Sequence, residues 1–516
     1  MKKTIVVLAL CLAALSGCDR GKKPAVMLVI IDTLPTTHSS AYGYERATTA
    51  QIERLAKDGI LYQHAISAAP WTLPSIASIL TGAYPSRHMA GYHLDPPTQE
   101  DRRLAKLDDA AVPVTMAEMF KSHGYKTAGF FNNPFVNPGY GLTRGFDTYD
   151  YVEGDNLTIR NAADTTSAVI KWLDDNGKKP FFIVVHYFDP HLAYNPPIDF
   201  AAPYLPPNTP MSKIPFNPDL YAIRSGALQV SPEDRELAKD LYDGELASVD
   251  AEMARLMKYL RDNGLYERMM VVITSDHGEE FWEHGGYEHG HSLHREVIEV
   301  PLVIKYPGLD QAGKTVKEYV SLLDIMPTMA EFLGWPLPAE MDGVSLYPRG
   351  GRLEPEPHVV VTENMHYGPQ LQSFISDCFK LIVNTETGAL VVYDLCHDPD
   401  ETKDVFGEVK LPPKVKAQVE HIAANLDNLI KKGTAEASQL DPETIRKLRA
   451  LGYIGGSAKP VPAAGSTAPA ATPAPAPTPA TGGTAPAAGA TAPAPALVPA
   501  PTPAPATGTT SKEAKP

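Results

Sequence analysis

The chain has 516 residues, a formal net charge of −15 and four cysteines. So acidic a balance excludes nucleic acid as the expected partner and offers no basic patch to an acidic membrane surface, so an anionic substrate has to be held by a locally placed metal or cation. The length allows roughly two to four average domains, or one large α/β domain with an appendage.

The chain opens with Lys2 and Lys3, an apolar run from Ile5 to Leu15, and then Leu15-Ser16-Gly17-Cys18. The run is too short for a stable membrane span and reads as an export signal. Its small residues before a cysteine resemble the bacterial lipoprotein cleavage box. That resemblance implies a signal peptide over residues 1–17, lipid on Cys18, an anchor linker over 18–24, and a place in the bacterial cell envelope facing the periplasm or exterior. After processing, Cys378 and Cys396 remain, either bonded to each other across neighbouring β runs or as two free thiols.

Pro24 to Ile31 is a continuous apolar run ending at Asp32. It reads as a buried parallel strand with an acid at the end where open α/β sheets bind ligands. Helical spacing follows in Ile52, Leu55 and Ala56, closed by Gly59. In Trp71 to Gly82 a hydroxyl, Thr72, precedes a helix-opening Pro74; Ile76, Ile79 and Leu80 give the buried face and Gly82 the stop. The end of such a helix favours an anionic group beside Thr72.

Further strands are expected at Lys126–Phe131, Phe181–His186, Met269–Thr274 and Pro301–Tyr306. A long amphipathic helix is expected from Ser231-Pro232-Glu233, with Leu237, Leu241, Val249, Leu256 and Leu260 in its stripe and Gly264 as its stop. Alternating strands and helices predict an α/β domain over 25–350, a three-layer, mostly parallel sheet, with rim loops at 132–140 and 194–218. From Val359 the spacing changes to short β runs at Val359–Thr362, Phe374–Val383 and Leu390–Leu395, then a helix near 414–432. This predicts a small C-terminal α+β subdomain over 351–456. The Ala/Pro/Thr-rich tail, 457–516, cannot bury enough apolar surface to order itself.

Asp276 and His277 stand at the end of the Met269 strand, before Gly278. With Asp32 they supply two carboxylates and an imidazole, a set suited to one divalent cation, whether Ca, Mg, Mn or Zn. A cation there, with Thr72 as a fourth donor, lowers the hydroxyl pKa and makes Thr72 a nucleophile. His186, His191, His277, His284, His289 and His291 are six of the sixteen histidines of the chain, all following hydrophobic strands.

These segments resemble the sulfatase family of the alkaline phosphatase superfamily. The match covers Ile31-Asp32-Thr33-Leu34, Trp71 to Gly82, His186 to Pro197, and Thr274 to Gly285 with Val300-Pro301-Leu302. Tyr393-Asp394-Leu395 and Leu451-Gly452-Tyr453 match recurrent C-terminal elements. The resemblance implies an alkaline-phosphatase-like fold, ester hydrolysis and one divalent metal at Asp32, Thr72, Asp276 and His277. Asn132, His186, His191, His289 and His291 are the candidate substrate-binding residues, with His191 and His289 also candidates to protonate the leaving group. The departures are as informative. Thr72 stands where sulfatases carry the Cys or Ser that becomes formylglycine, Ile76 replaces an Arg, and Phe130-Phe131-Asn132-Asn133-Pro134 replaces a Gly-Lys-Trp-His segment.

Thr favours a phosphoester or phosphodiester, because a threonyl sulfate has no internal route to breakdown. The rival readings are a sulfuric ester hydrolase on sulfated glycans, an envelope phosphoglycerol or phosphoethanolamine transferase, and a non-catalytic binder of anionic glycans.

Overall fold

The apolar run after Pro24 forms β1 (Ala25–Ile31), and its alternation assigns one half of the strand to each face of a sheet. Val26, Leu28 and Ile30 join one buried cluster, and Met27, Val29 and Ile31 the other. A strand buried on both faces needs helices above and below it, and burial contributes about 1.5–3 kcal/mol for each such side chain. The structure is a computed structural model describing residues 23–95, 103–152, 160–309, 311–338, 341–407, 411–417 and 419–420. The expected export signal, Cys18, the linker up to residue 22, the tail, and most of the helix expected near 414–432 lie outside these residues.

In chain order, β1 is followed by α1 (Ala50–Asp58), β2 (Ile60–Ile66), α2 (Thr72–Thr81), α3 (Met116–Ser122), β3 (Lys126–Phe131), β4 (Thr148–Tyr151) and α4 (Ala162–Asn176). Then come β5 (Phe181–Tyr187), α5 (Pro232–Asp262), β6 (Met269–Ser275), the short pair β7 (Glu280–Phe281) and β8 (Tyr287–Glu288), β9 (Glu299–Lys305), β10 (Lys314–Ser321) and α6 (Ile325–Phe332). The main sheet has eight strands in the order β10-β2-β9-β6-β1-β5-β3-β4. It is parallel except at β9, which runs antiparallel to both neighbours, β2 and β6. Side chains of α2, α3 and α6 pack with the Leu28 side, and those of α1, α4 and α5 with the Val29 side, giving three layers.

All five expected strands are present within two residues. β2, β4 and β10 were not expected. β10 is a polar edge strand exposed at four of its first five residues, and β4 is half-buried throughout, so neither carries a continuous apolar run. The 31-residue α5 starts where Ser231 accepts a hydrogen bond from the Asp234 amide at 3.1 Å.

The second sheet is antiparallel: β11 (Val360–Thr362), β12 (Leu371–Ser376), β13 (Phe379–Asn384) and β14 (Leu390–Asp394), in that order. The run Phe374–Val383, expected as one strand, is two, folded back at Asp377 (φ 54°). Its apolar residues on either side of the turn hid the break. Cys378 and Cys396 form a disulfide that ties this turn to the end of β14.

This sheet packs on the main domain through Ile66, Leu293, Val297 and Ile298 against Val360, Ile375 and Ile382. Beside that contact, the rings of His284 and His294 stack at 3.7 Å, with His284 Nδ1 2.6 Å from Glu296 and His294 Nδ1 3.0 Å from Glu401. Glu401 also receives the buried Lys380 ammonium at 2.8 Å. The hydrogen bond to Glu296 outweighs burial and raises His284 from 6.5 to about 9. A pKa raised on folding contributes stability that is complete below about pH 6.5 and is lost as pH rises through about 9. Wild type is therefore expected to lose melting temperature relative to His284→Gln between pH 7 and 10, measured by thermal melts across that range.

Candidate active site

The strand register sets the site. Ile31 of β1 pairs with Ser275 of β6, so the next residues, Asp32 and Asp276, leave adjacent strands side by side. On the other flank of β1, His186 of β5 pairs with Ile30. Three neighbouring strands thus end in Asp, Asp and His at the same edge, the place where parallel sheets present ligands. Gly278 permits the turn that follows: its amide donates to Val297 O at 2.7 Å, and a Cβ there would stand 2.1 Å from Glu296 O.

The helix α2 brings Thr72 to this edge. It begins at Thr72 itself, with Trp71 as its extended N-cap, and ends at Gly82 in the left-handed conformation. All ten of its residues are buried, more than the single face expected, because the segments 85–88, 134–136 and 322–324 pack on it as well. The Ser75 hydroxyl donates to the Asp276 carbonyl at 2.6 Å, fixing the helix to the end of β6. From the other side, the Trp71 indole donates to Asn364 O at 2.7 Å, and the Glu363 amide to Ala68 O at 2.9 Å. The loop after β11 therefore helps to hold the nucleophile segment.

Thr72 Oγ1 lies 3.2 Å from His277 Nε2 and 3.1 Å from Asn133 Nδ2. His277 Nδ1 donates to Gly278 O at 3.0 Å, which leaves the lone pair on Nε2 to accept from the threonine hydroxyl. The same Nε2 is 3.5 Å from Asp32 Oδ1 and 3.4 Å from Asp276 Oδ2. Asn133 also donates to Asp32 Oδ2 at 2.7 Å.

The electrostatics are those of two carboxylates sharing one site. Burial pushes Asp32 up, but the imidazole of His186, whose Nε2 stands 3.4 Å from Oδ2, aided by those of His191 and His277, brings it down to about 2. Burial and then the Asp32 charge push Asp276 well above the usual carboxylate range. Burial also lowers His191 and His277, and lowers His289 further with the charges of His277 and His191.

The donor set fits a divalent cation. Asp32, His186 and Asp276 each present an atom within 4.8 Å of the others. Asp32 Oδ1, Asp276 Oδ2 and both His186 ring nitrogens are buried without a hydrogen-bond partner, and unsatisfied buried polar atoms of this kind are costly unless an ion meets them. His186, expected to bind substrate, is thus grouped with the carboxylates, and His277 and Thr72 border the same point.

His191 and His289 also converge here, their rings 5.1 Å apart and that of His289 4.3 Å from His277. Two residues expected to bind substrate are occupied elsewhere. Asn132 donates to Thr165 Oγ1 at 3.0 Å and His186 O at 2.7 Å, and accepts from Arg160 at 2.8 Å. It braces β3 against β5, and Asn133, one residue on, is the one that reaches Thr72. Past the end of a strand, consecutive side chains point to opposite sides, and the sequence does not say which points inward. His291 is paired with Glu280 at 2.9 Å and stacked on Tyr367. Asn133 and Glu279 were missed; the Asn-Asn-Pro departure after β3 was the available signal for the first.

The chain matches the family described as Sulfatase over residues 24–335, and the N-sulphoglucosamine sulphohydrolase C-terminal family over 282–432. It is 25% identical over 466 residues to a Delta 4,5-hexuronate-2-O-sulfatase of Bacteroides thetaiotaomicron, covering 82% of this chain and 91% of that one. It is 25% identical over 452 residues to a multifunctional alkaline phosphatase superfamily protein, PehA, of Trinickia caryophylli, covering 70% and 86%. Among solved structures it resembles the phosphonate monoester hydrolase of Agrobacterium radiobacter with a TM-score of 0.61 at 20% identity, covering 79% of this chain and 95% of that one. On the match over more than half its length, and with the alkaline-phosphatase-like sheet and clustered donors described above, the chain belongs to the sulfatase family of ester hydrolases.

Proposed function

We propose that the protein is a metal-dependent hydrolase of phosphate or sulfate esters in which Thr72 is the nucleophile, with phosphoesters and phosphodiesters favoured. The observation that carries this reading is the Thr72 hydroxyl, buried at a helix N-terminus and 3.2 Å from the lone pair of His277 Nε2. Asp32, His186 and Asp276 would hold the cation. When bound, it supplies Lewis-acid polarisation of a nonbridging oxygen and lowers the Thr72 hydroxyl pKa. The chain's own residues do the rest. Asn133 fixes the rotamer of Thr72 and the orientation of Asp32. The Thr72 proton leaves through its hydrogen bond to His277, and Oγ1 attacks phosphorus or sulfur in line, giving a threonyl ester that water then hydrolyses. His191 and His289 border the space that the nonbridging and leaving oxygens would occupy.

A threonyl phosphate is cleaved by water attack at phosphorus, whereas a threonyl sulfate lacks the aldehyde collapse open to formylglycine. The likeness in fold to a phosphonate monoester hydrolase supports chemistry at phosphorus. A second reading, hydrolysis of sulfate esters on glycans, is supported by relatives named for that chemistry. In this proposal the protein acts in the bacterial cell envelope, anchored through lipid on Cys18. The test is a panel of nitrophenyl phosphate, bis-nitrophenyl phosphate, nitrophenyl phenylphosphonate and nitrophenyl sulfate, assayed with Ca, Mg, Mn and Zn. Phosphorus esters are expected to exceed the sulfate in kcat/KM by at least about 10-fold, roughly 1.4 kcal/mol of transition-state discrimination. A sulfate ester turned over fastest would replace the first reading with the second.

A further inference from the structure

Glu279 has no part in the chemistry above, yet its side chain is completely buried where three site segments meet. It stands two residues after His277. Its Oε1 lies 2.9 Å from His289 Nδ1, and its Oε2 accepts the Tyr194 hydroxyl at 3.1 Å. Tyr194 belongs to the loop that carries His191, and His289 follows β8, so one carboxyl joins the ends of β5, β6 and β8. A carboxyl is costly to bury in such a place, and structures keep one where its partner needs orienting. With Nδ1 committed to Glu279, His289 has only Nε2 to offer the site, and its ring is packed against those of His277 and His191 at 4.3 and 5.1 Å.

We propose that Glu279 is a positioning residue that holds His289 so that Nε2–H gives its proton to the leaving oxygen of the ester. The inference rests on the reading of Thr72 as nucleophile. In the first step Thr72 Oγ1 bonds to phosphorus or sulfur, and its own proton passes to His277. The bond from that centre to the leaving oxygen breaks, its electron pair goes to that oxygen, and the Nε2 proton follows. The proton between Glu279 and Nδ1 ends on Nδ1, leaving a carboxylate and a neutral imidazole. In the second step water attacks the phosphorus or sulfur of the threonyl ester and the bond from that centre to Oγ1 breaks; one water proton returns to His289 Nε2 as the Nδ1 proton passes back to Glu279, and Thr72 recovers its proton from His277. Glutamine at position 279 preserves the shape but has no proton to pass to Nδ1, so Nε2 cannot give up its own.

The test compares Glu279→Gln with wild type on esters of one acid with leaving groups of differing basicity. Nitrophenolate departs without a proton; an alkoxide does not. The variant is expected to keep nitrophenyl ester turnover within about 3-fold and to lose about 100-fold on an alkyl ester, the usual scale of general acid catalysis. In a His289→Ala background the same substitution is expected to add less than about 2-fold. Equal losses on both leaving groups, no loss on the alkyl ester, or an additive loss in the double variant would each overturn the proposal. Should Glu279→Gln fail to fold, ¹⁵N NMR of the wild-type protein decides: a protonated His289 Nε2 supports the assignment and an unprotonated one overturns it. Full turnover by Thr72→Ala would remove the underlying reading instead, so the two failures are distinguishable.

Discussion

Thr72→Ala is expected to abolish turnover on every ester, by about 10³-fold or more, while leaving the protein folded. The substitution removes the hydroxyl and the γ-methyl, and the two partners of the hydroxyl, His277 Nε2 and Asn133 Nδ2, remain in place. Losing those two hydrogen bonds costs about 1–3 kcal/mol, a melting shift of a few degrees. Stopped-flow assays on a nitrophenyl phosphodiester, paired with thermal melts, separate the chemical loss from unfolding. Thr72→Ser keeps the oxygen and should retain a measurable fraction of activity. Acid-quenched wild type should carry a phosphoryl group at Thr72 detectable by mass spectrometry. Wild-type turnover in the alanine variant would remove Thr72 from the reaction altogether.

The second large effect concerns the paired carboxylates. Asp32 is held ionised at about pH 2 and above, and its charge, after burial, pushes Asp276 well up. A carboxyl whose folded pKa is raised destabilises the cation-free protein above its unfolded pKa of 3.8, increasingly as pH rises toward the folded value. A divalent cation relieves this repulsion. Chelation is therefore expected to lower the melting temperature of wild type, since a ligand at about 1,000 times its Kd stabilises by about 4 kcal/mol. Asp276→Asn should lose that response, be at least as stable as the chelated wild type at pH 7, and fall about 10²-fold or more in activity. Calorimetry with and without chelator reads both proteins. A chelated wild type that melts no lower than the loaded one would show that the carboxylates do not hold an ion.

How much of this was legible from residues alone depends on the kind of feature. Strands β1, β3, β5, β6 and β9 were readable because each is a run of apolar residues buried on both faces, and that pattern is local. The capped α5, with Ser231 before and Gly264 after, was readable for the same reason. β10 was not, because an edge strand with exposed Lys314, Glu318 and Lys317 has no periodic apolar signal. The turn at Asp377 was hidden because hydrophobic residues continue on both sides of it.

For the site, chemistry and placement separate in the same way. The residue types, a hydroxyl at a helix start and acids and imidazoles after buried strands, are properties of short segments, and they named Thr72, Asp32, Asp276 and His277. The choice of Asn133 over Asn132, the grouping of His186 with the two carboxylates, and the carboxyl of Glu279 behind His289 depend on strand register and on side-chain direction beyond the strand ends. Those are settled only when β1, β5 and β6 pair and when α2 is pinned by Ser75 to the Asp276 carbonyl. The local sequence thus determined which groups are available, through burial patterns that act over a few residues. The tertiary structure decided which of them meet, because hydrogen-bond register and packing join segments some two hundred positions apart, as Thr72 and His277 are joined across 205.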